Sequence, residues 1–347
     1  MLQQNTAALA PLGWTSTRQA ELDALALPGA VPARLGRVDR GSAMAIGPDG
    51  PLRVDGAGLA TGDWIAVAGG RLAAVLPRRS LLSRRAAGRP DAGQAIAANV
   101  DVVVVVHGLD RPFRDRRLHR ALALAWDSGA TPVIVLTKAD LVEDAGSRAL
   151  DAEVAFGVDA HAVSARGGEG LSTISALARP DRTLVLVGES GAGKSTLVNA
   201  LVGREELATG AVREGDAKGR HTTSARHLVP LDGGGALIDT PGVRELGLWG
   251  SEEGVAATFA DIVALAEGCR FGDCRHEGEP GCAVAAAVAD GRLDARRLDS
   301  LHDLTREMAS LTLREDERAR RARDRRGSRM GREAQRHKAG RRRLQGG

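Results

Sequence analysis

Hydrophobic and polar positions alternate in three textures along the chain. From residue 33 to 77, short apolar segments are broken by turn signals at Pro48-Asp49-Gly50-Pro51, Asp55-Gly56, Gly62-Asp63 and Gly69-Gly70. That spacing predicts a small all-β barrel, with strands such as 35–38 and 64–67. At residue 100 the texture changes to a nearly continuous β-branched run, 100–106, of the kind covered on both faces in a parallel sheet. A helical pattern over 116–128 and further strand-like runs at 132–136, 161–163 and 183–187 complete an alternation that predicts a doubly wound α/β domain. Strand-like runs recur at 226–229 and 235–238, and helical patterns over 256–266 and 284–308 predict a small helical domain. The expected organisation is an N-terminal arm (1–28), an OB-like barrel with a linker (29–92), an α/β domain (93–250), a helical domain (251–315) and a basic tail (316–347). For the arm, which holds Trp14 and ends at Pro28-Gly29, a docking helix and a frayed end are both open. The stretch 80–93 reads as a basic connector.

Composition narrows the setting. The 347 residues carry a net charge of only +4, and the surplus is concentrated beyond Arg318 and in Arg341 to Arg343. Such a tail is too polar to pack and suits a polyanion. Arg34, Arg37, Arg40, Arg53 and Arg71 are expected on the barrel surface, where they would offer a face to RNA. Aromatic residues make up 2% and Tyr is absent, so contact with RNA would rest on charge and shape instead of stacked bases. No apolar run reaches membrane-spanning length and the start lacks a secretory pattern, which predicts a cytoplasmic protein without membrane contact.

The chemistry concentrates at strand ends. Gly188, Glu189, Ser190, Gly191, Ala192, Gly193, Lys194 and Ser195 fit Gly, four free positions, Gly-Lys-Ser/Thr, directly after the strand at 183–187 and before a helical run opening with Thr196. Glycines let successive N–H groups turn toward an anion, to which the helix adds its positive end. Lys194 would reach the terminal phosphates and Ser195 would ligate magnesium. Thr137, Lys138 and Asp140, following the strand at 132–136, look like the guanine-recognition motif of GTPases. A carboxylate there accepts from the ring N–H and the exocyclic amino group of guanine, a pair that adenine lacks. Ser164 and Ala165, after the next strand, match the companion motif that meets the guanine oxygen. Further on, His221, Thr222 and Thr223 resemble a first switch, with Thr223 completing the magnesium shell. Asp239 and Gly242 match Asp-x-x-Gly, the carboxylate holding magnesium through water and the Gly N–H facing the γ-phosphate.

Guanine motifs usually come after the phosphate loop, and here they precede it. A circular permutation accounts for this, since a doubly wound sheet keeps its geometry when surface loops are cut and joined. In consequence, the polypeptide beyond Gly242 is tethered to the second switch. That downstream region contains a window holding all three cysteines, Cys269, Cys274 and Cys282, beside His276. Three thiolates and an imidazole satisfy tetrahedral zinc with no open position, so one structural zinc is expected.

These motifs together resemble the circularly permuted, ribosome small-subunit-dependent GTPases of bacteria, the RsgA or YjeQ family. The likeness runs from about residue 30 to 315 and includes Gln94 to Asp101 and the Cys-x4-Cys-x-His-x5-Cys spacing. The resemblance implies GTP hydrolysis with magnesium, binding as a monomer to the small ribosomal subunit and its rRNA, and a role in late maturation of that subunit. Two departures stand out. Thr137 replaces the usual Asn, which leaves base specificity to Asp140 and is expected to weaken loop bracing. Val243 stands where Ras-like enzymes place the Gln that orients water, so hydrolysis should be slow until the ribosome assists, and the resemblance points to His221 for that task. A GTP-regulated RNA-binding protein, and a GTPase acting on a non-ribosomal RNA, are the alternatives.

Overall fold

The structure, a computed structural model, describes residues 6–39, 41–85, 93–178, 181–203, 226–239 and 251–310, together with 312, 313, 317 and 321. The N-terminal segment forms a 3-10 helix, Thr6–Leu12, and helix α1, Ser16–Asp23, whose N-cap Thr15 accepts from the Arg18 N–H. Leu9, Leu12, Trp14 and Leu22 are buried in the same core as the parallel sheet described below. Five strands come next: β1 (Val31–Val38), β2 (Ser42–Gly47), β3 (Gly50–Asp55), β4 (Trp64–Ala68) and β5 (Arg71–Val75). They pair antiparallel in the order β3-β2-β1-β4-β5 around a core of Leu35, Val54, Leu59, Ile65 and Val67, forming the OB-like barrel.

One of the arginines expected on the barrel surface is inside. Arg34 is 2% exposed, and its guanidinium donates to the carbonyls of Leu12, Gly62 and Asn99 and to Thr183 Oγ1. It also lies 5.1 Å from the Trp64 ring centroid. Burial pulls its pKa down to about 10, which still leaves it charged at neutral pH. The apolar pattern of β1 gave no warning, because all but one of the partners of Arg34 come from the arm and from the α/β domain. Arg37 pairs with Asp39, Arg53 and Arg71 are exposed, and Arg40 lies outside the described residues.

The described start of the expected connector is a strand, not a loop. Strands β6 (Leu81–Arg85) and β7 (Gly93–Ala98) pair antiparallel, burying Leu82, Ile96, Ala97 and Ala98. Asn99 then takes a left-handed turn, φ 54°, and its side chain joins three segments. It accepts from Arg18 and from the Arg79 N–H, and donates to the Gly62 carbonyl.

The α/β domain contains β8 (Val102–Gly108), α2 (Asp115–Asp127), β9 (Thr131–Thr137), α3 (Ala145–Phe156), β10 (Ala160–Val163), α4 (Leu171–Ala178), β11 (Thr183–Gly188), α5 (Lys194–Val202), β12 (His227–Pro230) and β13 (Ala236–Asp239). Its strand order is β10-β9-β8-β11-β13-β12, all parallel except β12. Odd valines of β8 face one layer with α2 and α3, and even ones face α4 and α5. That two-sided burial explains why β8 carries an unbroken valine run. The sheet continues into the barrel through an antiparallel pairing of β1 with β12 at Arg37 and His227.

The C-terminal helices are α6 (Glu252–Thr258), α7 (Ala260–Ala266), α8 (Ala283–Ala289) and α9, over residues 295–310. The helical run expected over 256–266 is thus two helices joined at Phe259, and the one expected over 284–308 breaks at Gly291, whose φ is +78°. These helices dock on α2: the His119 ring lies 4.9 Å from both Phe156 and Phe259, and Ser251 Oγ donates to Asp127 at 2.6 Å. Arg297 binds Asp261 and the carbonyls of Ala155 and Thr258, joining α9 to α3 and to the α6–α7 corner.

Candidate nucleotide site and metal centre

Register brings the motif-bearing strand ends to one edge of the sheet. Thr137 sits opposite Gly108 on one side and Val163 on the other, while Gly188 sits opposite Val106. Asp239 ends β13, which runs parallel to β11. The carboxyl edge of an open parallel sheet is where such folds bind ligands, because the connecting loops open outward there.

The loop from Gly188 to Ser195 turns tightly against the sheet. A Cβ on Gly188, at φ +150°, would lie 2.3 Å from the Val106 carbonyl oxygen, so only glycine fits at this strand exit. Gly193 caps α5 at φ 87°, and a Cβ there would press on Thr137. Lys194 Nζ donates to the carbonyls of Gly188 and Glu189 at 2.7 and 2.6 Å, which lays its ammonium group back over the loop. Ser195 is exposed in the first turn of α5, followed by Thr196. A glycine-rich turn, a lysine and a helix N-terminus together suit a polyphosphate.

Beside it lies the guanine-type motif. The buried Thr137 hydroxyl donates to the Ala192 carbonyl at 2.5 Å, so the shorter side chain still ties this motif to the phosphate loop. Lys138 adopts a left-handed conformation, φ 62°, that turns the chain into the short 3-10 helix Ala139–Leu141. Asp140 is exposed at the start of that turn and accepts from Ser164 Oγ at 2.7 Å. This hydrogen bond holds the Asp140 carboxyl below its ordinary pKa. Ser164 is fully buried and also accepts from the Gly167 N–H, which fixes the turn carrying Ala165.

Two participants escaped the sequence reading. Asp110, just beyond β8, accepts from Lys138 Nζ at 2.7 Å and from Arg111, which together hold its pKa down to about 2, the Arg111 contact contributing most. Arg111 in turn donates to the carbonyls of Ser190 and Gly191, both at 3.4 Å. A charged pair at the carboxyl end of a buried parallel strand was the available signal. His221, Thr223 and Gly242 lie outside the described residues, as do Thr222 and Val243.

The second cluster is Cys269, Cys274, His276 and Cys282, whose ligand atoms all lie within 4.8 Å of one another. Cys269 Sγ is 3.9 Å from Cys282 Sγ, and His276 Nδ1 lies 3.6 and 3.4 Å from these two sulfurs. A tetrahedral ion with ordinary metal–sulfur and metal–nitrogen bonds needs edges of about 3.5–3.8 Å, so the donors fit one metal ion. The loop is shaped for this by His276 at φ 62° and by Glu279, which accepts from the N–H groups of Arg275 and Glu277 at 2.8 Å. Those bonds draw the Glu279 pKa down to about 2. Cys282 also caps α8, accepting from the Ala285 N–H.

A phosphate-type loop on the inner strand β11, with the guanine-type motif preceding it in the chain, defines a circularly permuted P-loop GTPase domain between a barrel and a helical domain that carries the three-Cys, one-His cluster. Solved structures agree: YjeQ from Thermotoga maritima superposes with a TM-score of 0.61 over 81% of this chain and 99% of that one at 23% identity. YloQ, described as a circularly permuted GTPase, gives 0.61 over 82% and 96% at 25% identity. The profile of the RsgA GTPase family matches residues 75–249. Curated relatives named small ribosomal subunit biogenesis GTPase RsgA include those of Streptomyces coelicolor, 46% identical over 91% of both chains, and Syntrophotalea carbinolica, 40% identical over 87% of this chain and 90% of its own. The chain belongs to the RsgA GTPase family and is a GTP-hydrolysing enzyme.

Proposed function

We propose that this protein binds the small ribosomal subunit in the cytoplasm and hydrolyses GTP on it late in subunit maturation. The observation that carries this reading is the hydrogen bond from Thr137 to Ala192, which seats a guanine-selective motif against a phosphate loop in a chain of this family. The names of its relatives supply the ribosomal setting. No helix among the described residues is long and apolar enough to cross a membrane.

In this reading Asp140 accepts the guanine N–H and amino protons, its carboxylate kept ionised and aimed by Ser164, while Ala165 offers a backbone N–H to the guanine oxygen. The loop N–H groups and Lys194 hold the phosphates. Lys194 leaves its two carbonyl partners to do so, exchanging neutral acceptors for charged ones. Magnesium would be held by Ser195, Thr223 and Asp239, where it offsets charge on the phosphates. Val243 carries no polar atom to orient water, and His221 is the residue assigned to that role, brought into place by the subunit. Zinc suits the Cys269, Cys274, His276 and Cys282 donors, because three thiolates with one imidazole match its softness and leave no site for catalysis. The protein acts as a monomer, and its basic tail beyond Arg318 contacts rRNA.

The test is GTP turnover by the purified protein with and without small subunits. Stimulation by small subunits, absent with large ones and lost in His221→Ala at unchanged GTP affinity, is the expected result. Equal turnover with and without subunits would refute the proposal.

A further inference from the structure

Helix α2 touches both the phosphate loop and the metal-ligating domain. At its N-terminal end, Arg117 Nη1 donates to the Glu189 carboxylate at 2.7 Å. Arg111 and Arg114, on the loop leading into the helix, stand 3.7 Å from the same group. Glu189 occupies the first free position of the phosphate loop, and its backbone carbonyl is one of the two acceptors of Lys194. One and three residues away from Arg117, Arg116 and Arg120 form ion pairs with Asp303 and Glu307 of α9. His119 stacks on Phe259 between them, with the ring planes 24° apart. At the far end of α2, Asp127 holds Ser251, and Gly254 packs so closely that a Cβ there would meet the Ala123 carbonyl at 2.6 Å. Arginines on this helix therefore hold Glu189 on one side and α9 on the other, and α6 packs closely on the same helix at Gly254.

Resting on the assignment of loop 188–195 as the phosphate site, we propose that Arg117 is a positioning residue. It ties Glu189 to α2, so that occupancy of the loop and the seating of residues 251–310 are energetically coupled. The tether through the second switch arises from chain continuity, whereas this connection is made by side chains and does not depend on the segment 240–250. When phosphates draw Lys194 off the Glu189 carbonyl, the loop's first turn is released from an internal partner, and its carboxylate is the handle by which α2 registers the change. Coupling of this sort is reciprocal, so weakening the grip of α9 on α2 must alter nucleotide affinity at a distance. Exposed ion pairs are weak, so the expected change in affinity is small, about two- to five-fold.

The experiment measures GDP affinity by calorimetry, and amide hydrogen exchange over 251–310, in the full-length, metal-loaded protein. In the wild type, GDP should slow exchange in α6 and α9. Asp303→Asn with Glu307→Gln, which touch no loop atom, should weaken GDP binding about two- to five-fold at unchanged metal content. Arg117→Gln should do the same and abolish the GDP-induced protection, and Arg117→Lys should retain most of both. Unchanged GDP affinity in the distal variant, or exchange over 251–310 that ignores GDP, overturns the coupling while leaving the nucleotide site intact. A wild type that binds no GDP, or a Lys194→Ala variant that binds it equally well, overturns the site assignment and the coupling with it.

Discussion

Thr137 and Ala192 are joined by a hydrogen bond of 2.5 Å from the threonine hydroxyl to the alanine carbonyl. The two residues are 55 positions apart, and the bond fixes the guanine-type motif against the phosphate loop from within the core. Thr137→Ala leaves that carbonyl without its donor, at a cost of about 1–1.5 kcal/mol, so GDP affinity should fall about five- to ten-fold. Thr137→Ser should stay within about two-fold of the wild type. Fluorescence titration with a labelled GDP reads both.

In the proposed reading, Asp140 selects the base by its two acceptor oxygens. Asp140→Asn presents a donor in place of one of them, which suits xanthine, whose carbonyl replaces the guanine amino group. Guanine nucleotides should bind at least about ten-fold more weakly by analogy with base-edge readout, and xanthine nucleotides should gain. Competition between GDP and XDP measures the exchange.

The metal centre should govern the fold of the C-terminal helices. Cys269 and Cys274 pack on the same small core as Phe259, Ile262 and Leu304, so removing the ion also loosens apolar contacts. Elemental analysis should find one zinc per chain. Cys282→Ser, or treatment with a strong chelator, should release it and expose residues 251–310 to proteolysis while GDP binding persists, because thiolate ligation couples metal binding to folding.

His119 makes the α2 seam sensitive to acid. Burial, reinforced by Arg297, lowers its pKa from 6.5 to about 4, and the Asp115 carbonyl gives it only a weak contact. The folded state thus disfavours the proton relative to the unfolded chain. The stabilisation is complete above pH 6.5 and drains away as pH falls through the window down to about 4, by about 3 kcal/mol in all. Urea unfolding followed across that range should show the loss, and His119→Phe should flatten it.

Arg34 should be intolerant of substitution. Arg34→Met removes the donor to the buried Leu12 and Asn99 carbonyls and to Thr183, while the Gly62 carbonyl keeps its bond from Asn99, and each acceptor left unpaired carries a penalty of about 1–3 kcal/mol. Thermal melting should drop sharply, whereas Arg53→Met, on the exposed face, should leave it unchanged.

Most of the nucleotide edge was legible in the chain because its residues announce themselves locally. Glycines at fixed spacing, a lysine, and the valine run of β8 each reflect short-range geometry. The order of motifs then gave the permutation. The features that stayed hidden depend on partners distant in sequence. Arg34 looks like any barrel arginine until the arm and Thr183 close over it, 149 residues away in the case of Thr183. Asp110 and Arg117 belong to a stretch that reads as ordinary solvated charge, and only folding brings them to Lys138 and Glu189. Strand β6 was hidden by the basic residues of its stretch, which obscured the apolar side of Leu82. The roles of His221, Thr223 and Gly242 rest on sequence alone.

The arm also sets an order of events at birth. Its Pro11 carbonyl accepts from the N–H of Gly235, and the neighbouring Leu12 carbonyl accepts from Arg34. That contact can form only once residue 235 has been made, long after the arm itself, whereas the packing of Trp14 against Trp64 needs only the barrel. The arm is thus seated in two stages, first against the barrel and later against the turn between β12 and β13.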